Sequence, residues 1–166
     1  MLYLLDANVL IDANRDYYSL SRVPEFWEWL EDVGTRALVK IPVEIYEEIK
    51  DGKDDLAIWA KDHDVRSALI YAEEAEVTLV AQVTDQGYAP DLTDDEVEKI
   101  GRDPFLIAYA LRAVTDRCIV TTEVSKPGRT RANRHLPDVC KDLGVNWCNT
   151  FAFVRDLDFT TGWSRT

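Results

Sequence analysis

Histidine and cysteine are scarce in this chain, and neither is spaced to hold zinc. The two histidines, His63 and His135, stand too far apart in the sequence for a zinc constellation. Cys118, Cys140 and Cys148 are odd in number and form no CxxC pair. That argues against a disulfide framework and predicts reduced, partly buried thiols in the cytoplasm. Basic residues are the minority, 19 Lys and Arg against 31 Asp and Glu, a net charge of −12. A protein that coats nucleic acid by bulk electrostatics carries the opposite sign. No run is long and apolar enough to span a bilayer, so no membrane partner is expected. No signal peptide is expected either, because the first strand begins at residue 2. Repeats, low-complexity segments and internal linkers are all missing. A P-loop, a GxGxxG turn and a Ser-His-Asp set are missing too, which leaves serine chemistry and nucleotide binding little support.

What is present suits one domain. The 166 residues are 46% hydrophobic, with five Trp and seven Tyr. We read a single domain over 1–157 and a tail over 158–166. Leu2-Tyr3-Leu4-Leu5 is an apolar run ending in an acid, as in a strand buried inside a parallel sheet. Asp6 then stands where ligands bind in open α/β sheets, outside the carboxyl end of a strand. Asn8, two residues on, is placed to orient what Asp6 holds. A plain turn residue or helix N-cap explains Asp6 equally simply.

Further along, Pro24 opens a helix whose Phe26, Trp27 and Leu30 face inward, with Gly34 ending it. Residues 37–42 read as a second strand, and 43–50 as the helix after it. Glu44 and Glu48 share one face of that helix, where like charges repel unless a cation relieves them. A solvated acidic face is the bland account. Residues 54–60 begin another helix. The apolar repeat over Ser67 to Thr84 predicts a helix there. Thr93 and Glu96 form a capping box, opening a helix to Ile100. Pro104 suits a first helical position, which makes Asp103 the N-cap. Residues 117–121 are the third strand, running into Glu123. Lys126, Arg129, Arg131 and Arg134 sit in a loop without acids. Such a strip suits an RNA phosphate backbone, or equally a clamp on acids of the same chain. Residues 136–143, 145–148 and 150–157 read as helix, strand and helix. Strands alternating with helices give an α/β class with a mainly parallel sheet flanked by helices.

Asp6, Glu48, Asp103 and Glu123 therefore stand at comparable places, and oxygen ligands suit Mg²⁺ or Mn²⁺. Such ions activate water and neutralise charge on a phosphate. Asp6-Ala7-Asn8, Glu48 with Gly52, Asp103-Pro104-Phe105-Leu106-Ile107-Ala108 and Thr121-Thr122-Glu123 resemble, in order, the four motifs of the PIN-domain ribonucleases. That family includes the VapC-like toxins of toxin–antitoxin pairs. The match at the second motif selects Glu48 over Glu44. At the fourth, Glu replaces the usual Asp and the following aromatic is absent.

The resemblance implies a Rossmann-like three-layer fold and a Mg²⁺- or Mn²⁺-dependent endoribonuclease with an RNA substrate. It also implies a cognate antitoxin and, often, a homodimer. In that scheme Asp6, Glu48, Asp103 and Glu123 hold the ion, Asn8 orients, and Lys126, Arg129, Arg131 and Arg134 hold RNA. Two other readings stay open. One is a catalytically silent PIN-like binding module. The other is a haloacid-dehalogenase-type phosphatase or receiver domain using Asp6. The phosphatase normally needs a second Asp where Asn8 stands, and the receiver a Lys that Thr121-Thr122-Glu123 does not supply.

Overall fold

The computed structural model describes residues 1–166 as one α/β unit. Four strands form its sheet: β1 (Leu2–Leu5), β2 (Val39–Lys40), β3 (Arg117–Val120) and β4 (Asn146–Cys148). Their spatial order is β2-β1-β3-β4, and every pairing is parallel. Leu4 lies opposite Lys40 on one side and Ile119 on the other. Leu4, Leu5, Ile119 and Val120 are fully buried, which is why these segments read as continuous apolar runs.

Ten helices cover the sheet. They are α1 (Ala7–Asp12), α2 (Pro24–Thr35), α3 (Val43–Lys50), α4 (Asp55–Lys61) and α5 (His63–Leu69). The rest are α6 (Val77–Gln82), α7 (Asp94–Ile100), α8 (Asp103–Leu111), α9 (Leu136–Leu143) and α10 (Thr150–Asp156). From β1 the chain crosses to β2 on one side, and from β2 it returns past β1 to β3. Right-handed crossovers in opposite directions put their helices on opposite faces, giving a three-layer, Rossmann-like fold. The direction reverses between β1 and β3, so a crevice opens at their carboxyl ends. No helix is long and apolar enough to cross a membrane.

Aromatic side chains fill one layer. Trp29 and Phe153 contact with centroids 5.5 Å apart, and Phe153 meets Tyr3 of β1 at 5.3 Å. Phe26 and Trp27 are at most 2% exposed, the core role their spacing predicts, and Trp29 is buried with them. Burying each such ring is worth roughly 1.5–3 kcal/mol. Phe159, which the sequence reading assigns to the tail, belongs to the same cluster, 4.9 Å from Trp29. The packed body therefore extends past Leu157.

Two elements differ from expectation. Ser67 to Thr84 is not one helix: α5 ends at Leu69, and Ile70 bridges Ile41 in parallel at the sheet edge. The Ile41 amide and carbonyl are satisfied by Leu69 and Tyr71, pairings that local periodicity does not register. In addition, Arg102, not Asp103, is the N-cap of α8, and Asp103 is its first helical residue. The Asp103 carboxylate makes no capping bond, so capping does not account for it.

Candidate active site

The crevice is walled by the ends of β1 and β3. β1 delivers Asp6, only 4% exposed, directly above its last buried leucine. β3 runs into Thr121, fully buried, whose hydroxyl donates to Asp6 Oδ2 at 2.8 Å. The same Thr121 oxygen accepts the Glu123 amide at 3.2 Å, so one side chain ties the two strand ends together. Thr121, rather than the expected Asn8, is the side chain that hydrogen-bonds the Asp6 carboxylate. Asn8 is exposed on the first turn of α1, and Asp6 receives no hydrogen bond from it. The signal for Thr121 lay in its position, two residues before Glu123 at a strand's end.

Charge shows which acids the fold brings together. Burial, and then the neighbouring Glu123 and Glu48, push Asp6 up to about 6, against the pull of the Thr121 hydrogen bond. Burial pushes Asp103 well above the usual carboxylate range, with Asp6, Glu123 and Glu48 adding to the shift. Glu48 is exposed on its outer side, yet acts on both aspartates. Glu44 acts on neither; its Oε1 accepts from the Tyr109 hydroxyl at 3.4 Å. Of the two α3 glutamates on that face, Glu48 is therefore the one that acts on the two aspartates. The negative potential reaches inward as well. Burial raises the Cys140 thiol, and Asp103 and Glu123 raise it further.

No arginine or lysine acts on Asp6 or Asp103. The nearest relief is at Glu48, where Arg102 partly offsets the upward push of burial. Arg102 itself is held by Glu47 at 2.7 Å and by the Glu44 carbonyl at 2.8 Å. Glu123 is partly committed, because its Oε2 accepts the Leu136 amide at 2.9 Å, at the start of α9. An acid there also gains from the helix dipole. His135 lies 3.8 Å from that oxygen, and its Nδ1 is 2.8 Å from the Val124 carbonyl.

The donor set is all oxygen, which suits a hard divalent cation. Its geometry is not preformed for ligation: no group of three or more His, Cys, Asp or Glu side chains is arranged to hold a metal ion. Neither the Asp103 nor the Glu48 carboxylate is held by a hydrogen bond.

A family model described as Domain of unknown function (DUF4411) matches residues 3–161. The chain belongs to that family. No curated protein and no solved structure matches it. The DUF4411 match takes in all four acids, and its end at residue 161 takes in Phe159 of the aromatic cluster.

The basic loop divides in two. Arg131 forks onto Glu96, with Nε and Nη2 each at 3.0 Å, and reaches Asp91 at 2.8 Å. Arg134 bonds the Gly87 carbonyl at 2.6 Å and the carboxylate of Asp142. Both therefore clamp the protein to itself. Lys126 and Arg129 are exposed and form no ion pair. Asp138 pins the loop by accepting the Lys126 amide at 2.7 Å and the Ser125 hydroxyl.

A cavity of about 370 Å³ lies between this loop and the acids. Asp103, Glu123, Lys99, Arg129, His135 and Tyr88 all line it. No sequence pattern singles out Tyr88. It closes a π-helical turn over Val83–Tyr88, and such turns gather at functional sites. Its hydroxyl is buried without a hydrogen-bond partner, a cost of about 1–3 kcal/mol. Burial, with Asp103 and Glu123, pushes the phenol further up from its ordinary value, so it stays protonated at neutral pH.

Proposed function

We propose that this DUF4411 chain is a Mg²⁺- or Mn²⁺-dependent endoribonuclease of the PIN type, acting as the toxin of a toxin–antitoxin pair. One observation carries the reading. Asp6 and Asp103, far apart in the chain, are both withdrawn from solvent at the switch point of a parallel sheet, each within electrostatic reach of Glu48 and Glu123, and neither has a cation partner. Acids held together at raised proton affinity in a cleft mark a functional site.

Each residue has a task. Asp6, Glu48 and Asp103 would hold the cation, and Glu123 would complete the set through the oxygen that α9 leaves free. Such an ion, when bound, lowers the pKa of a water and neutralises charge growing on a phosphate. Thr121 keeps Asp6 in one rotamer and accepts the Glu123 amide, so the ends of β1 and β3 present their acids as a unit. Arg129 and Lys126, unpaired on the loop, would hold the RNA backbone as point contacts. With a net charge of −12, the chain holds RNA at this one place and by its shape. An antitoxin would silence the site by putting a basic side chain among the acids.

Asp6→Asn tests the reading. RNA cleavage in Mn²⁺ is expected to fall on the order of 100-fold or more, since even outer-shell partners of a metal cost 10–100-fold. The circular dichroism of the variant is expected to match wild type. Cleavage at the wild-type rate rejects the assignment.

The committed oxygen of Glu123, and the lack of a preformed ligating group, favour a second reading. In it the chain is a PIN-like binding module without catalysis. Wild-type protein that binds RNA but leaves it intact in millimolar Mn²⁺ selects that reading.

A further inference from the structure

We infer that the cavity beside the acids is a phosphoryl-binding subsite built on the Tyr88 hydroxyl and the Arg129 guanidinium. The subsite stands on its own geometry; only the identity of its phosphate as part of RNA rests on the nuclease reading.

The argument begins with the hydroxyl. Tyr88 is 7% exposed, lines the cavity, and has no hydrogen-bond partner for its oxygen. A buried donor is almost always satisfied, so an unsatisfied one calls for an acceptor. Its placement is fixed by the backbone. Gly87, just before it, packs so tightly on α9 that a Cβ there would come within 2.6 Å of Val139 Cγ1. That approach, together with the bond from Arg134 to the Gly87 carbonyl, locks the turn that aims Tyr88.

The other walls also donate. Arg129 reaches the cavity without an acid partner. Lys99 reaches it too, and its ammonium bonds the neutral carbonyl oxygen of Asn133, so its charge is uncancelled. Tyr88, Arg129 and Lys99 thus bring donors to one space that Asp103 and Glu123 also wall, and the Asn133 carbonyl oxygen there is already taken by Lys99. A ligand that satisfies both walls is anionic, rich in acceptor oxygens, and able to share a cation with the two carboxylates. A phosphate monoester or diester meets all three conditions. The fork of Arg129 takes two of its oxygens and Tyr88 a third.

Calorimetry with inorganic phosphate, wild type against Tyr88→Phe, tests the subsite. Phosphate binding is expected to weaken about tenfold, the worth of one hydrogen bond to a charged acceptor. The melting temperature is expected to stay level or rise, because the variant removes an unsatisfied hydroxyl. Arg129→Gln, at an exposed position, is expected to weaken phosphate binding as well. Equal binding by Tyr88→Phe and wild type, or no binding by wild type, overturns the proposal. A short single-stranded RNA, titrated in EDTA to prevent cleavage, separates the sources. Loss with both probes assigns the subsite to the RNA backbone, and loss with phosphate alone assigns it to free phosphate. If wild type cleaves no RNA while Tyr88→Phe still loses phosphate, the nuclease reading falls and the subsite stands. If RNA is cleaved and Tyr88→Phe binds both probes like wild type, the subsite falls and the nuclease stands.

Discussion

Acids gather at two places in this molecule, and the fold treats them in opposite ways. Glu73 sits against Arg117, the first residue of β3, at 2.8 Å, and against Arg112 at 2.5 Å. Its proton affinity is lowered: burial raises it, but Tyr71 and the two arginines more than cancel that. At the other end of β3, Asp6 and Asp103 are raised, and no cation of the chain answers them. The same strand therefore begins in a neutralised acid and ends in an uncompensated set. The first pattern is what a structural ion pair needs. The second costs stability, and a fold keeps such a cost where the charge is used.

Breaking one pattern at a time gives the largest expected contrast. Asp103→Asn is expected to reduce RNA cleavage on the order of 100-fold or more while raising the melting temperature at neutral pH. Arg117→Met is expected to do the reverse. It removes one of the two arginines on the half-buried Glu73 and a donor to the Tyr109 carbonyl, costing about 1–2 kcal/mol. Cleavage per folded molecule stays level. Thermal melts and initial rates on both variants check the contrast.

The pH dependence of stability sharpens it. In EDTA, folded Asp6 keeps a proton that the unfolded chain gives up, from about pH 4 to about pH 6. Stability therefore falls as pH rises through that window and stays lower above it, by on the order of 2–3 kcal/mol for Asp6. Asp103 acts in the same direction. Glu73 has the opposite sign: its contribution is present above its ordinary 4.5 and is lost as pH falls below that. A melting-temperature maximum at about pH 4, where the two signs cross, is the expected sum, and millimolar Mn²⁺ is expected to erase the decline toward pH 7. A profile that rises steadily from pH 5 to 7 without metal contradicts the raised acids.

The smallest effects divide the basic loop. Arg131→Ala is expected to lower the melting temperature slightly, because it breaks a forked contact with Glu96 and Asp91 near the surface. Lys126→Ala is expected to leave stability within about 0.5 kcal/mol and to lower the salt dependence of RNA binding. Equal stability costs at the two positions remove the distinction.

Much of this layout is legible in the chain. The apolar runs before Asp6 and before Thr121 announce buried strands, and the acid at each strand's end marks the crevice. Thr93 and Glu96 announce a capping box, and it forms. What stays hidden depends on partners far away in sequence. Ile70 reads as part of a helix until Ile41 offers it a bridge. Asp103 before a proline reads as a cap, although the helix begins one residue earlier. Arg131 and Arg134 resemble Lys126 and Arg129 in a string of letters, and only folding brings Glu96 and Asp142 to them. Tyr88 carries no local signal at all: its meaning lies in a hydroxyl that the surrounding residues leave unanswered.

Titration of the metal-free protein with Mn²⁺ in a calorimeter at neutral pH, wild type beside Asp103→Asn, addresses the central claim most directly. Saturable binding by wild type, with protons released as the raised acids ionise, and its loss in the variant are the expected result. No heat of binding at millimolar Mn²⁺, or identical isotherms for the two proteins, contradicts a cation-holding edge.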